Sequence, residues 1–148
     1  STALRRNIHT GNAVLDVLLR EKIGYAEQNQ IAVSCHASLP PNLPVDDMDL
    51  CIIVSNTLDN AIQACAKTRE CEPKIDITIK VRRQFLLIEI TNTAPPMVTT
   101  TLGIGLKNVV RSVEKYQGTM EIGNDAGRYR ISVLLCLATS ISPDTQEK

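Results

Sequence analysis

The chain has 148 residues, enough for one domain with a core of its own. Its 16 Lys and Arg balance 16 Asp and Glu with no basic run. That excludes a nucleic-acid surface built on phosphate neutralisation and a polybasic membrane patch. No apolar run reaches the ~18–20 residues of a membrane span, and the first residues do not read as a secretory leader. Apolar residues make up 43% of the chain, with one Phe and no Trp, so the expected core is Leu, Ile and Val. The five cysteines, Cys35, Cys51, Cys65, Cys71 and Cys136, form no CxxC pair and read as reduced core thiols.

Residues 1–10 read as a lead-in. Thr10 or Asn12 can cap a helix running to about Asn29. Val14, Val17, Leu18, Ile23 and Ala26 are its expected inner face, with Ile23 one position out of phase; Arg20, Glu21, Lys22 and Glu27 form the outer face. Residues 31–37 read as a strand, followed by the loop Pro40-Pro41-Asn42-Leu43-Pro44. A second helix is expected from Asp46 or Asp47, with Asp49 adding negative charge to its first turn, and it runs to about Glu70 before Pro73 stops it.

This second helix carries the oddest stretch of the sequence, Leu50–Ala66. Cys51, Val54, Leu58, Ala61, Ile62 and Cys65 form an apolar stripe at 3.6-residue spacing. Ser55, Asn56, Asp59, Asn60 and Gln63 form the opposite one. Asparagine, serine and aspartate weaken a helix interior, because they compete for backbone hydrogen bonds. Asn56 and Asn60 are four apart and point the same way. Two amide oxygens and a carboxylate on one rigid face suit a hard cation such as Mg²⁺, which takes few protein ligands and completes its shell with water and phosphate. A polar face bonded to a neighbouring loop is the other reading of the same pattern.

Strands are expected at 74–81 and 85–92, joined tightly through Arg82, Arg83 and Gln84 as an antiparallel hairpin. Asn92, where the second strand stops, either points into a pocket or starts an Asx-turn. Residues 93–102 read as a loop. Gly103 and Gly105 stand directly before a helix whose spacing is given by Leu106, Val109, Val110 and Val113 and whose stop is Gly118. Glycines at a helix N-terminus let backbone N–H donors approach an anion, although a flexible junction gives the same pattern. Residues 119–124 and 128–137 read as a second hairpin, and 138–148 as a disordered tail. His9 and His36 are isolated, Arg82–Arg83 reads as a solvated turn, and no nucleophilic triad is identifiable. The order α β α β β α β β predicts a two-layer α/β sandwich, with a mixed, mostly antiparallel sheet of about five strands and three helices on one face.

NTLDNAIQA (56–64), a strand ending at Asn92, a loop, and LGIGLKNVVRSVEKYQG (102–118) together resemble the ATP-binding catalytic domain of sensor histidine kinases, in the superfamily shared with gyrase and MutL. The stretch from His9 to Ile31 resembles the subgroup of peptide-pheromone receptor kinases. The resemblance covers about residues 8–137 and implies a Bergerat-type ATPase fold, with residues 11–137 as the catalytic domain and 1–10 leading in from a helical dimerisation segment.

Residue by residue, the resemblance implies that Asn60 binds the Mg²⁺ of Mg·ATP. Asn56 acts near the γ-phosphate, and Asp59 supports them. Gly103 and Gly105, with Leu106, present backbone donors to the phosphates, and Lys107 adds charge. Asn92 stands where many relatives carry an Asp that accepts from the adenine amino group, and the two glycines that often follow that Asp are Ala94 and Pro96 here. The implied partners are ATP, a histidine on dimerisation helices of the same parent chain and a response regulator. The implied setting is the cytoplasmic side of a bacterial membrane receptor, with a homodimeric parent, an isolated domain that is monomeric, and no membrane or nucleic-acid contact by this domain. Other readings on the same fold are a docking module that holds nucleotide weakly, and a standalone ATPase or serine kinase such as an anti-sigma factor.

Overall fold

The computed structural model describes residues 7–67, 72–94 and 102–138. Residues 1–6 of the lead-in, residues 68–71 with Cys71, the loop residues 95–101 and the expected tail from 139 onward lie outside the described residues. The eight expected elements occur in the expected order: α1 (Ala13–Gln28), β1 (Ala32–Ala37), α2 (Asp47–Ala66), β2 (Lys74–Arg82), β3 (Phe85–Thr93), α3 (Ile104–Lys115), β4 (Thr119–Asp125) and β5 (Arg128–Cys136).

Helix α1 starts because Asn12 Oδ1 accepts the Leu15 N–H at 2.9 Å, leaving Thr10 to hydrogen-bond Asp16 instead. Its inner face differs from the expected one. Leu15, Leu19, Ile23 and Ala26 are buried, while Val14 is 45% and Val17 61% exposed. Spacing of four, four and three keeps Ile23 in phase. A stripe through Val14 and Val17 cannot, and the phase error in the sequence pattern marked the wrong stripe. Helix α2 is capped by Asp46, whose Oδ1 accepts the Met48 N–H at 3.2 Å. It is described to Ala66, with Lys67 as its C-cap; residues 68–70, expected to continue it, are not among those described.

The five strands form one open sheet in the order β1-β2-β3-β5-β4. Strand β1 runs parallel to β2, with α2 as the crossover between them, and every other pairing is antiparallel. Period-two alternation sends Ile75, Ile77 and Ile79 of β2, Leu86, Ile88 and Ile90 of β3, and Ile131, Val133 and Leu135 of β5 into the core. The three helices pack against one another and on that face. The other face carries Asp76, Glu89, Arg128 and Arg130, paired as Arg128–Asp76 at 2.6 Å and Arg130–Glu89 at 3.4 Å. The β4–β5 turn is Ala126-Gly127 with both φ positive (51° and 82°), the backbone a two-residue hairpin of this twist requires.

Helix α3 ends one residue earlier than Gly118 would place it. Gln117 takes the left-handed conformation (φ 52°), and the Gly118 N–H returns to the Val113 carbonyl at 3.0 Å. Gly118 is needed for another reason: a β-carbon there would run into the Leu134 carbonyl of β5.

Candidate functional site

The polar stripe of α2 does not face open water. Ser55, Asn56, Asp59 and Asn60 are all half-buried. Asn56 Nδ2 donates to the Ile52 carbonyl of its own helix at 2.8 Å, and this bond fixes the direction of the amide. Its Oδ1 then lies 2.8 Å from where a β-carbon on Gly105 would stand. A side chain at 105 would push directly on this oxygen, so α2 and α3 meet closely here because residue 105 is glycine.

Helix α3 begins differently from the other two. Its N-cap is Gly103, in extended backbone (φ −75°, ψ 176°), and no side chain caps it. Asn12 and Asp46 perform that task for α1 and α2. The first-turn N–H groups of α3 therefore lack a side-chain acceptor among the described residues and carry the positive end of the helix dipole. No atom of the described residues lies within 4 Å of a β-carbon built on Gly103. Leu106 turns into the core, leaving only its backbone to face outward, and the Lys107 side chain is exposed.

Asn92 lies on the helix-facing side of β3, where the alternation of Leu86, Ile88 and Ile90 would place another aliphatic residue. It is 1% exposed and its Nδ2 donates to the Thr93 carbonyl at 2.9 Å. The thiol of Cys65, one helical turn beyond Ala61 on α2, reaches the same carbonyl at 3.7 Å. Burial pushes the Cys65 thiol up in pKa, so it remains protonated and can donate. Through this shared carbonyl the last turn of α2 sits over the end of β3.

No described residue hydrogen-bonds the Asn60 side-chain amide, one turn beyond Asn56 on the same face. Asp59 is engaged by α1: its Oδ1 accepts from Lys22 Nζ at 2.7 Å. Lys22, expected on the solvated face of α1, is thereby turned toward α2. With side-chain exposures of 24% and 45%, the pair contributes at most about 1 kcal/mol. The structure thus brings Asn56 together with Gly105, leaves Asn60 and the α3 N-terminus without side-chain partners among the described residues, and commits Asp59 to Lys22.

Sequence reasoning missed the other end of the α2–α3 seam. Asp49, read as a helix-dipole charge, is 5% exposed. Its Oδ2 accepts from Lys115 Nζ and from Tyr116 Oη, both at 2.7 Å. Tyr116 Oη in turn accepts the Asp46 N–H at 2.9 Å. Burial raises the Asp49 pKa, but the bonds from Lys115 and Tyr116 and the Lys115 charge outweigh it, and the carboxyl is held below its ordinary range. Asp49 lies seven residues before Asn56 on the same helical stripe, but that spacing does not set it apart from an ordinary first-turn acid.

A depression of about 420 Å³ lies elsewhere, lined by Arg82, Arg83, Phe85 and Leu134. It begins seven residues back along β3 from Asn92, roughly 23 Å at ~3.3 Å per residue, and opens on the opposite face of the sheet. Among the described residues no group of three or more His, Cys, Asp and Glu is placed to hold a metal ion, and no helix is long and apolar enough to cross a membrane.

An open mixed sheet covered on one face by three helices, with a polar helix seam ending at a glycine-started helix, defines a two-layer α/β domain. Residues 45–136, well over half of the chain, match the GHKL domain, and the chain belongs to that family. The fold is similar to that of histidine kinase AdeS from Acinetobacter baumannii, at 19% identity and a TM-score of 0.66, covering 86% of this chain and 64% of that one. It is also similar to the catalytic domain of histidine kinase ThkA in a nucleotide-free form, at 18% identity and a TM-score of 0.65, covering 83% and 92%. A third similar structure is the histidine kinase domain of the blue-light-activated kinase from Erythrobacter litoralis EL346, at 12% identity and a TM-score of 0.65, covering 84% and 59%. The chain thus spans less than two thirds of two of these kinase chains. No curated protein sequence matches it.

Proposed function

We propose that this domain binds Mg²⁺·ATP between α2, the end of β3 and the N-terminus of α3, as the catalytic domain of a sensor histidine kinase. The reading rests above all on Asn56 facing Gly105, which joins the two sequence motifs in one place. The donor set fits the ligand. Asn60 offers an amide oxygen that no described residue engages, and a Mg²⁺ held by one protein oxygen would complete its shell with water and phosphates. The uncapped N–H groups of α3 after Gly103 suit a phosphate, with the exposed Lys107 adding positive charge nearby. Asn56, with one amide hydrogen on the Ile52 carbonyl, keeps a second N–H that would meet an oxygen at the end of the triphosphate. Asn92 would meet the base through a neutral amide in place of a carboxylate.

The metal would supply neutralisation of phosphate charge. The protein's part in phosphoryl transfer is positioning and electrostatic stabilisation. The acceptor would be a histidine on dimerisation helices of the parent chain, itself a homodimer and a membrane receptor near the peptide-pheromone group, with a response regulator downstream. Calorimetric titration with a non-hydrolysable ATP analogue tests the reading: saturable binding that disappears on chelating Mg²⁺ supports it, and no binding at millimolar ligand rejects it. A second reading, a docking module with weak nucleotide affinity, is favoured by the neutral Asn92 standing where a carboxylate would accept from the adenine amino group, with Ala94 and Pro96 in place of the glycines that often follow. A Kd that Mg²⁺ leaves unchanged would select it.

A further inference from the structure

Helices α2 and α3 run antiparallel, and their seam has two fixed points. At one, Asp49 of α2 meets Lys115 and Tyr116 of α3. At the other, Asn56 of α2 meets Gly105 of α3. Asp49 and Asn56 are seven residues apart on α2, and Gly105 and Lys115 ten apart on α3, the long side chain of Lys115 leaning back toward the start of its helix to reach the carboxylate. Seven residues rise about 10 Å in an α-helix and ten about 15 Å, so the two contacts tie the helices together over two to three turns. Each charge at the first point also complements its own helix dipole, with Asp49 in the first turn of α2 and Lys115 in the last turn of α3. Tyr116 ties the cap residues together as well, since it is the C-cap of α3 and its hydroxyl accepts from the N-cap residue of α2, Asp46.

An α-helix is stiff along its axis, so a clasp that fixes the last turn of α3 against α2 also fixes where its first turn stands. We propose that Asp49, clasped by Tyr116 and Lys115, is a positioning residue that sets the Asn56–Gly105 contact and so the placement of the α3 N-terminus in the cleft. The inference deepens the nucleotide reading and, for its binding arm, rests on it. Nothing in the clasp touches the cleft itself. Asp49 and Tyr116 act only through the register of the two helices.

The test uses Tyr116→Phe, which removes the hydroxyl's two hydrogen bonds and keeps the ring. In the ligand-free protein, the Gly105 backbone amide and the Asn56 side-chain amide should shift in two-dimensional NMR spectra, while amides in β2 and β3 stay in place. Unshifted Gly105 and Asn56 signals overturn the proposal, whatever the nucleotide does. In a second arm, Tyr116→Phe and Gly105→Ala are combined and titrated with Mg²⁺ and the ATP analogue. The single Tyr116→Phe change should raise Kd by about three-fold or more, the lower end of coupling within one network. In the Gly105→Ala background, where Asn56 is already displaced, the same change should add little. Full additivity of the two effects rejects the clasp as a positioning device. A parent protein that binds no nucleotide rejects the cleft reading, and the NMR arm still decides the clasp. Asp49→Asn, which keeps the shape and removes the charge, should show the same pattern if Tyr116→Phe proves poorly folded.

Discussion

The side-chain oxygen of Asn56 stands 2.8 Å from the position of a β-carbon on Gly105. Gly105→Ala is therefore a substitution that acts on Asn56. The obstacle is the far end of a side chain and not backbone, so the fold survives, and an alanine within the helix adds up to about 1 kcal/mol of helix propensity. The Asn56 amide must leave its place beside Ile52. Expected outcomes are an unchanged or higher urea midpoint, faster exchange of the Asn56 side-chain amide, and a Kd for Mg²⁺·ATP analogue raised about ten-fold, as for one lost hydrogen bond to a charged group.

Gly103 should separate stability from binding. An aspartate there would cap α3 as Asp46 caps α2, with open space to receive it. Gly103→Asp is expected to stabilise the domain by a few tenths of a kcal/mol. It should also weaken nucleotide binding at least ten-fold, because the carboxylate competes for the same N–H groups and repels phosphate. Thermal melting and titration of the same sample check both signs.

Asn60→Ala removes the amide assigned to the metal. The magnesium-dependent part of the binding should vanish while any binding in the presence of chelator stays as in the parent. Equal Mg²⁺-dependent affinity in the two proteins would reject the metal assignment.

The Asp49 clasp predicts an acid limb of stability. A carboxyl whose folded pKa lies below its unfolded value contributes stability that is fully present above the unfolded value, near pH 4, and is lost as pH falls through the folded one. Urea midpoints measured from pH 6 downward should fall less steeply below pH 4 for Asp49→Asn than for the parent. Parallel curves would mean that the carboxyl adds nothing specific there.

Much of the architecture was legible because each element carries an unambiguous local signal. The alternating isoleucines of β2 and the capping aspartate of α2 each dictate one conformation, whereas of the two glycines expected before α3 only Gly103 precedes it and Gly105 lies within its first turn. The α1 face was misread because Val14 and Val17 satisfy a short window of helix spacing that only Leu15 and Leu19 continue to Ile23 and Ala26. The close approach of α2 and α3 was legible at Asn56 and Gly105, where residue types poor in helix interiors advertise a constraint. It was not legible at Asp49, Tyr116 and Lys22. Their roles arise from pairings 67 and 37 residues apart in the chain, and a charged residue in a first turn or on an outer face already has an adequate local explanation.

Leaving the start of α3 to a glycine has a practical corollary. Part of that helix's stabilisation is assigned to whatever anion settles there, so occupancy should register as heat resistance. A ligand at 100 times its Kd adds about 2.7 kcal/mol to the native state. For a domain of this length that lifts the melting midpoint by roughly 5–10 °C. A dye-based melting screen across nucleotides and polyphosphates would then rank candidate ligands without a phospho-acceptor, a kinase assay or the rest of the parent chain.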